Sequence, residues 1–303
     1  MNTAIIQQQS TNIALNELSN KFLTHISHTK SISTYKSYFN KLNTFVEWFR
    51  ACEVVGNTRT VLEAYRGYIN MKLGTAKSKN LYLSVVRNLY KYLFDEGYIT
   101  DLPTSKLKNF TVNNTYSKVA LNEYQIYDLK QYIDNSTHKH HKRDRALIYL
   151  AMSNGLRVNE LCNIEIEDFS YIDDKRVLYL LRKGYTDKSN YIFLAPKVFN
   201  MLMEFKGDRT EGYLFTSRDN GGKLCSESMS RIIKDIFVKC GIRDKNITPH
   251  SLRHTTAVTA IKSGATVEQV MTMLNHKNLN TTQIYINSLN RAENPAELKI
   301  NFL

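Results

Sequence analysis

Apolar residues recur at helical spacing through the N-terminal part of the chain. In two stretches, one after Ser31 and one after Lys77, apolar positions three and four residues apart alternate with polar ones. The first stretch carries Ile32, Tyr35, Tyr38, Phe39, Leu42, Phe45, Val46 and Phe49, and the second carries Tyr82, Val85, Val86, Leu89, Tyr90 and Leu93. With shorter helices near residues 13–26 and 60–71, the pattern predicts an all-α helical bundle, and Ser31 is the expected cap of one helix.

The pattern then breaks. Residues 101–117 contain Pro103, Lys106 and Lys108 and show little apolar periodicity, which indicates an exposed basic linker. We therefore predict a helical domain over residues 1–104, a basic linker over 105–118 and a second domain over 119–303. A length of 303 residues suits two domains.

The second part combines helices with one hairpin. Residues 177–181 and 191–194 are rich in β-branched, aromatic and aliphatic side chains, and the polar segment 182–188 between them predicts a β-hairpin with a basic tip. Helices are predicted around residues 121–133, 147–152, 198–205, 227–240, 252–263, 267–274 and 281–286. The expected fold class is mainly α with a small antiparallel β-sheet or hairpin, which makes the second domain α+β.

Charge points to a polyanionic partner. The chain has 41 Lys and Arg against 28 Asp and Glu, a formal charge of +13. Such an excess suits nucleic acid, because cations placed near phosphates release condensed counterions.

The cysteines and the N-terminal residues indicate the cellular compartment of the protein. The four cysteines, Cys52, Cys162, Cys225 and Cys240, lack C-x-x-C and zinc spacings, so reduced thiols are expected. The polar N-terminus differs from a signal peptide, and no apolar run approaches the ~20 residues of a bilayer span. We expect a cytoplasmic protein without membrane contact.

Four places in the second part carry residues suited to one reaction, the breaking of a DNA strand without a metal ion. They are the segment 155–161 (GLRVNEL), Lys183 in the hairpin, the segment 250–254 (HSLRH), and Leu274-Asn275-His276 with Tyr285 nine residues later.

Attack on a phosphodiester builds negative charge on its non-bridging oxygens. Arg157 and Arg253 offer planar guanidiniums that match phosphate oxygens bidentately. A hairpin lysine can protonate the leaving 5′-oxygen. A phenolic ester keeps the energy of the phosphate bond for resealing, which makes Tyr285 the candidate nucleophile.

Two helix ends support this arrangement. His250 and Arg253 share a helix face, with Thr248 as cap and Pro249 in the first turn. Gly155 suits a left-handed helix end. Each residue alone also has an ordinary structural interpretation, so the ordered set carries the argument. Lys188 stays open as an alternative acid to Lys183.

The ordered set resembles the active site of the tyrosine recombinase, or lambda-integrase-type, family. Residues 155–161 are similar to its G-L-R-x-x-E-L box, residues 249–255 to its H-x-L-R-H-[TS] box and residues 274–276 to its L-G-H box. Residues 281–286 resemble the segment around its nucleophile. Upstream, residues 33–49 and 83–98 resemble the SAM-like core-binding domain of short, Xer-like members.

Two positions depart from the family pattern. Asn275 stands where Gly is common, and Asn tolerates the left-handed conformation better than most residues. Arg182 stands before the hairpin lysine, where short members often have Gly.

The resemblance implies a role for each residue. Arg157 and Arg253 would clamp the scissile phosphate, His250 would help accept the proton of Tyr285, and His276 would donate a hydrogen bond to the phosphate. Lys183 would be the general acid, Glu160 would orient the arginines, and Tyr285 would form a 3′-phosphotyrosyl intermediate. No cofactor and no metal is implied.

The implied partner is double-stranded DNA at specific recombination sites, bound by a homotetramer. The candidate N-terminal DNA contacts are Lys36, Lys41, Lys77, Lys79 and Arg87. The implied function is site-specific DNA recombination, for integration or excision of a mobile element or for dimer resolution. A catalytically silent DNA-binding relative and a strand transferase acting on one duplex are the alternatives. The tail 288–303 is expected to dock either on its own domain or on a neighbouring subunit.

Overall fold

A computed structural model divides the chain into two compact units, Met1–Thr115 and Tyr116–Leu303. It describes residues 2–52, 58–112, 119–182, 185, 187–217 and 221–275, with side chains from residue 14 onward. These residues are mainly α-helical with a three-stranded antiparallel sheet, so the predicted fold class is confirmed. None of the helices in these ranges combines the length and the apolar character that a bilayer span requires.

The first unit is built from long helices around an aromatic and aliphatic core. Its described α-helices are α1 (Asn2–Thr29), α2 (Ile32–Ala51), α3 (Thr58–Lys72) and α4 (Ala76–Asp95), followed by a short 3-10 helix (Pro103–Lys106). The Ser31 hydroxyl accepts a hydrogen bond from the Thr34 N–H at 3.3 Å, which confirms the predicted cap of α2. At the centre, the rings of Phe45 and Tyr65 meet edge to face at 4.8 Å, and both side chains are fully buried.

The predicted apolar positions fall mostly in this core. Leu42 and Phe45 of α2 and Val86 and Leu89 of α4 are completely buried. Ile32 and Phe39, which have the same spacing, are exposed instead.

Residues 107–110, which we call the strap, are held against the first unit by side chains of α3 and α4. The contacts are Arg87 Nη2 to the Leu107 carbonyl at 2.7 Å, Arg66 Nε to the Lys108 carbonyl at 3.0 Å, Arg87 Nη1 to Asn109 Oδ1 at 2.8 Å, and Asn80 to both backbone groups of Phe110 at 2.8 and 2.9 Å. Arg66 also lies over the Phe110 ring at 4.3 Å. Residues 107–110 of the expected linker therefore pack on the first unit, while the predicted bounds of the linker, 105–118, stay a prediction.

Asn80→Ala is expected to loosen the strap. The substitution removes two hydrogen bonds to the Phe110 backbone, each with a net value of about 1 kcal/mol, so opening of the strap should become roughly 30-fold more frequent. Limited trypsin digestion followed by mass spectrometry should show faster cleavage after Lys108. Asn40→Ala, at an exposed position of α2, is the matched control and should leave the rate unchanged. Equal rates in the two variants would contradict the assignment.

The second unit surrounds a small sheet with helices. Its described α-helices are α5 (Glu123–Asn135), α6 (His141–Asn154), α7 (Val158–Cys162), α8 (Pro196–Lys206), α9 (Ser226–Lys239), α10 (Pro249–Lys262) and α11 (Val267–Leu274), and its strands are β1 (Phe169–Ile172), β2 (Lys175–Leu180) and β3 (Asn190–Phe193). A 3-10 turn, Ile166–Asp168, precedes β1.

The sheet confirms the predicted hairpin and extends it by one strand. β2 pairs antiparallel with β3, with Val177 opposite Phe193 and Leu180 opposite Asn190. β1 pairs with the other edge of β2 through a tight turn at Asp173 and Asp174, both of which have positive φ. Aspartate tolerates this conformation, which makes two residues enough for the turn.

The ends of α6, α10 and α11 meet at Gly155. This residue follows α6 with φ of 62°, which confirms the predicted left-handed helix end. A Cβ at this position would lie 2.5 Å from Cδ2 of Leu274 and 3.4 Å from Cβ of Thr256. Glycine is therefore needed here for its conformation and for the close approach of α11 and α10.

Gly155→Ala is expected to destabilise the second unit by about 2–5 kcal/mol, because it combines left-handed strain with overpacking against Leu274. Gly264→Ala is the matched control. Gly264 also has positive φ, at 91°, but a Cβ there would meet nothing within 4 Å, so only the strain of about 1–2 kcal/mol remains. Urea denaturation of the full chain measures both. Equal losses of unfolding free energy in the two variants would show that overpacking against Leu274 does not destabilise the protein.

Candidate active site

The predicted site residues of the second unit that the structure describes lie at the start of α7 and in the first turns of α10. Arg157 is the N-cap residue of α7, directly after the turn at Gly155. His250 and Arg253 lie in the first turns of α10, which begins at Pro249 after the cap residue Thr248. The chain leaves α11 through Asn275, which has φ of 49° and ψ of 56°, so the expected left-handed conformation at this residue is confirmed.

Arg157 is held by Glu160, one turn further along α7. Its Nη1 lies 2.8 Å from Oε1 of Glu160, and its backbone N–H donates to Oε2 at 2.8 Å. The Glu160 side chain is 1% exposed, whereas that of Arg157 is 30% exposed. A buried carboxylate therefore fixes an arginine whose outer part still reaches solvent.

Arg253 is buried, with 1% of the residue exposed. Its Nη1 donates to the Gly155 carbonyl at 2.7 Å and its Nη2 to the Leu274 carbonyl at 2.5 Å. It thus ties the end of α6 to the end of α11, next to Arg157. One turn earlier on the same helix, the half-buried ring of His250 contacts that of buried His254 edge to face, with centroids 5.6 Å apart.

A third arginine in this place was not predicted. Arg182 follows β2, and the sequence assigned it to the polar tip of the hairpin, yet the residue is only 3% exposed. Its Nη1 lies 3.2 Å from Oε2 of Glu160, and its Nη2 donates to the Met273 carbonyl at 3.4 Å. The only sequence signal was its departure from the glycine that short family members often have there.

Three arginines therefore donate to three consecutive carbonyls at the end of α11. The pairs are Arg182 Nη2 with Met273 O at 3.4 Å, Arg253 Nη2 with Leu274 O at 2.5 Å and Arg157 Nη2 with Asn275 O at 3.5 Å. Carbonyls at a helix end have no partners within the helix and carry partial negative charge, so they attract cations. Two of these guanidiniums, those of Arg157 and Arg182, also pair with the carboxylate of Glu160, and the three arginines together with this carboxylate keep an excess of positive charge.

Lys188, the alternative acid, has carboxylate partners. Its Nζ lies 2.8 Å from both oxygens of Asp168 and also contacts Glu165. Burial lowers the pKa of Lys188, but the hydrogen bonds with Asp168 and Glu165 outweigh it, and the pKa is raised overall. An ammonium ion held in this way is a poor proton donor, which favours Lys183 over Lys188 as the acid.

Lys183, His276 and Tyr285 lie outside the described residues, as does the tail 288–303. Their predicted roles stay predictions. Two of them border described parts of the site in sequence, because Lys183 follows Arg182 and His276 follows Asn275.

The candidate DNA contacts of the first unit lie on α2 and α4. Lys36 and Lys77 are exposed. Lys41 lies over the Tyr82 ring at 5.7 Å, and Lys79 donates to Asn70 Oδ1 at 2.7 Å. The DNA contacts of these four lysines stay a prediction.

Arg87 has a structural role that was not predicted, since its guanidinium holds the strap. Its assignment as a DNA contact stays untested.

Comparison with known proteins gives the same family as the motifs. The model of the phage integrase family matches residues 120–291, and that of the phage integrase N-terminal SAM-like domain matches residues 20–97. The tyrosine recombinase XerC of Leptospira interrogans is 28% identical over 293 residues, which cover 90% of this chain and 89% of the relative. The tyrosine recombinase XerA of Pyrococcus furiosus is 29% identical over 276 residues, with 89% and 88% covered.

Solved structures share the fold. XerH recombinase in a post-cleavage complex with a palindromic difH substrate has a TM-score of 0.72 at 20% identity, covering 98% of this chain and 90% of that one. A lambda integrase dimer bound to a COC′ core site has a TM-score of 0.68 at 18% identity, with 88% and 96% covered. The predicted resemblance is confirmed, and since its family model spans more than half of the sequence, this chain belongs to the phage integrase family.

Proposed function

We propose that this chain is a site-specific DNA recombinase that cleaves and rejoins DNA strands through a covalent bond between Tyr285 and a 3′-phosphate. The gathering of Arg157, Arg182 and Arg253 around the end of α11, with Glu160 paired to the first two, carries the proposal. A partly buried group of cations with a net positive charge suits an anion, and a phosphodiester is an anion whose charge grows during attack. Membership of the phage integrase family supports the same activity.

The proposed step is a phosphoryl transfer without change of oxidation state. The hydroxyl oxygen of Tyr285 bonds to phosphorus while the bond from phosphorus to the 5′-oxygen breaks. His250 accepts the proton of Tyr285, and Lys183 gives a proton to the 5′-oxygen. His276 donates a hydrogen bond to a phosphate oxygen. Rejoining runs the same step in reverse, with a 5′-hydroxyl of the same or another strand as the nucleophile.

The two clamp arginines would contribute differently. Arg157 reaches solvent, so a phosphate can approach its guanidinium directly. Arg253 is buried and already holds the carbonyls of Gly155 and Leu274. A guanidinium has five N–H donors, so Arg253 can shape the site through these carbonyls and also contribute a donor to the phosphate.

Binding would involve both units. Lys36, Lys41, Lys77 and Lys79 of the first unit are proposed to contact the backbone or bases of duplex DNA at a recombination site. Recombination joins two duplexes, so we propose that four copies of the chain assemble as a homotetramer on them. We propose the cytoplasm of a bacterium as the location of this activity. Integration or excision of a mobile element and resolution of dimers are both compatible with this chemistry.

Tyr285→Phe is expected to abolish covalent attachment to DNA, because phenylalanine has no nucleophilic oxygen. The substrate is a duplex selected for binding from genomic fragments, with a nick beside the cleavage position so that the cut end diffuses away. Denaturing gels should show a protein–DNA band for the unchanged chain and none for the variant. Tyr127→Phe, at an exposed position of α5, is the matched control and should keep the band. A band that survives in Tyr285→Phe would overturn the assignment of the nucleophile.

The same substrates separate the alternatives. A silent DNA-binding relative binds the duplex without forming the covalent band. A strand transferase acting on one duplex relaxes a supercoiled plasmid but exchanges no strands between two labelled duplexes. The proposal requires exchange, and it requires four protomers in the exchanging complex.

Glu160→Gln is expected to destabilise the protein by about 3–5 kcal/mol, because a neutral amide leaves Arg157 and buried Arg182 without their shared negative partner. Glu123→Gln is the control, since its carboxylate is 91% exposed. It should change the free energy of unfolding by less than about 0.5 kcal/mol. Urea denaturation measures both variants, and similar small losses would show that the Glu160 carboxylate does not hold the arginines.

A further inference from the structure

We propose that Arg182 is a positioning residue that fixes the backbone leading to Lys183 and divides Glu160 between two arginines. The inference rests on the proposed function, because it assigns Arg182 a task in the cleavage step. Arg182 would not touch the phosphate. It would act through Lys183, the neighbouring residue, and through Arg157.

The burial of Arg182 argues for a task beyond stability. A buried guanidinium loses its hydration, and its ion pair with a carboxylate rarely recovers more than this loss. Arg182 is 3% exposed, and its Nε and Nη1 form no hydrogen bond among the described residues, so Nη1 meets Glu160 as an ion pair only. An apolar side chain of similar size would serve packing at least as well, so the charge itself needs an explanation.

One ion pair and one hydrogen bond hold Arg182 across the site. Nη1 pairs with Oε2 of Glu160 at 3.2 Å, and Nη2 donates to the Met273 carbonyl at 3.4 Å. These contacts restrict the backbone of Arg182, and Lys183 is the next residue in the sequence. The inference is that this restraint carries over to the acid through the peptide bond that joins the two residues.

Glu160 links this anchor to the phosphate clamp. Its Oε1 binds Arg157, whereas its Oε2 is shared by the backbone N–H of Arg157 and by Arg182. Removal of Arg182 would leave the carboxylate to Arg157 alone. The stronger pairing would hold the Arg157 guanidinium back from the phosphate, so both the acid and the clamp depend on Arg182.

The test compares two leaving groups. A nicked duplex with an ordinary 5′-oxygen at the scissile phosphate needs an acid, whereas a duplex with a 5′-bridging sulfur does not, because a thiolate leaves unprotonated far more readily. Arg182→Met, which keeps the volume and removes the charge, should slow cleavage of the oxygen substrate by about 10–100-fold. Its rate on the sulfur substrate should recover to within about threefold of the unchanged chain, since the acid is the larger of the two contributions.

Two further variants serve as comparison and control for this result. Lys183→Ala should show the same pattern with a larger loss on the oxygen substrate. Arg176→Met, six residues earlier and on β2, is the matched control, because its guanidinium lies over the Phe199 ring at 5.3 Å and away from Glu160. It should cleave both substrates at the unchanged rate.

The outcomes are distinguishable. If Lys183→Ala recovers on sulfur but Arg182→Met is equally slow on both substrates, Arg182 has a structural or phosphate-binding role and the inference is wrong. If Lys183→Ala fails to recover, the proposed acid is wrong and the inference falls with it, while the covalent band still tests Tyr285. Where Arg182→Met does not fold, Arg182→Lys replaces it. The lysine keeps the charge beside Glu160 but cannot also reach the Met273 carbonyl. The inference again requires slow cleavage of the oxygen substrate and a recovered rate on the sulfur substrate.

Discussion

Among the described residues, the carboxylate of Glu160 pairs with two of the three arginines of the site, Arg157 and Arg182, and the arrangement of the site depends on it. It fixes Arg157 through the side chain and the backbone, and it compensates part of the charge of buried Arg182. One full negative charge cannot balance three positive ones. The remaining attraction comes from backbone carbonyls at the end of α11, whose partial charges are weaker but fixed in place.

This division of charge suits a site that binds an anion only for part of its working cycle. A second buried carboxylate would stabilise the free protein, but it would also repel an entering phosphate. Carbonyl dipoles hold the guanidiniums in place and leave most of their charge available, which is the condition for strong stabilisation of a developing negative charge. Arg253 is held by such carbonyls, those of Gly155 and Leu274. It thereby also fixes the positions of the helices that carry the site.

The sequence predicted those parts of the fold that follow from local patterns. Ser31 caps α2, Gly155 and Asn275 have left-handed conformations, and β2 and β3 form the hairpin. It missed features that depend on distant partners. The strap has two apolar residues, Leu107 and Phe110, but is too short to show a periodicity, and Arg66, Asn80 and Arg87 from two helices hold it in place.

Arg182 was assigned to a solvated tip for a related reason. Its neighbours in sequence are polar, and its partners Glu160 and Met273 are remote along the chain. The start of α10 was indicated by a different signal. Every residue from Ser251 to Ala257 is buried, so this part of the helix has no exposed face, and Thr248 and Pro249 indicated its beginning instead of apolar periodicity.

The acceptors at the end of α11 are main-chain atoms, and this has a consequence for how the site tolerates sequence drift. Replacing Met273, Leu274 or Asn275 changes a side chain but leaves a carbonyl oxygen wherever the helix ends in the same way. Asn275 illustrates this, because it takes the left-handed turn where relatives commonly carry glycine and still presents its oxygen to Arg157. The arginines therefore bind backbone oxygens, which many different residues can provide at positions 273–275. The three guanidiniums are side-chain groups, and other residue types do not provide them.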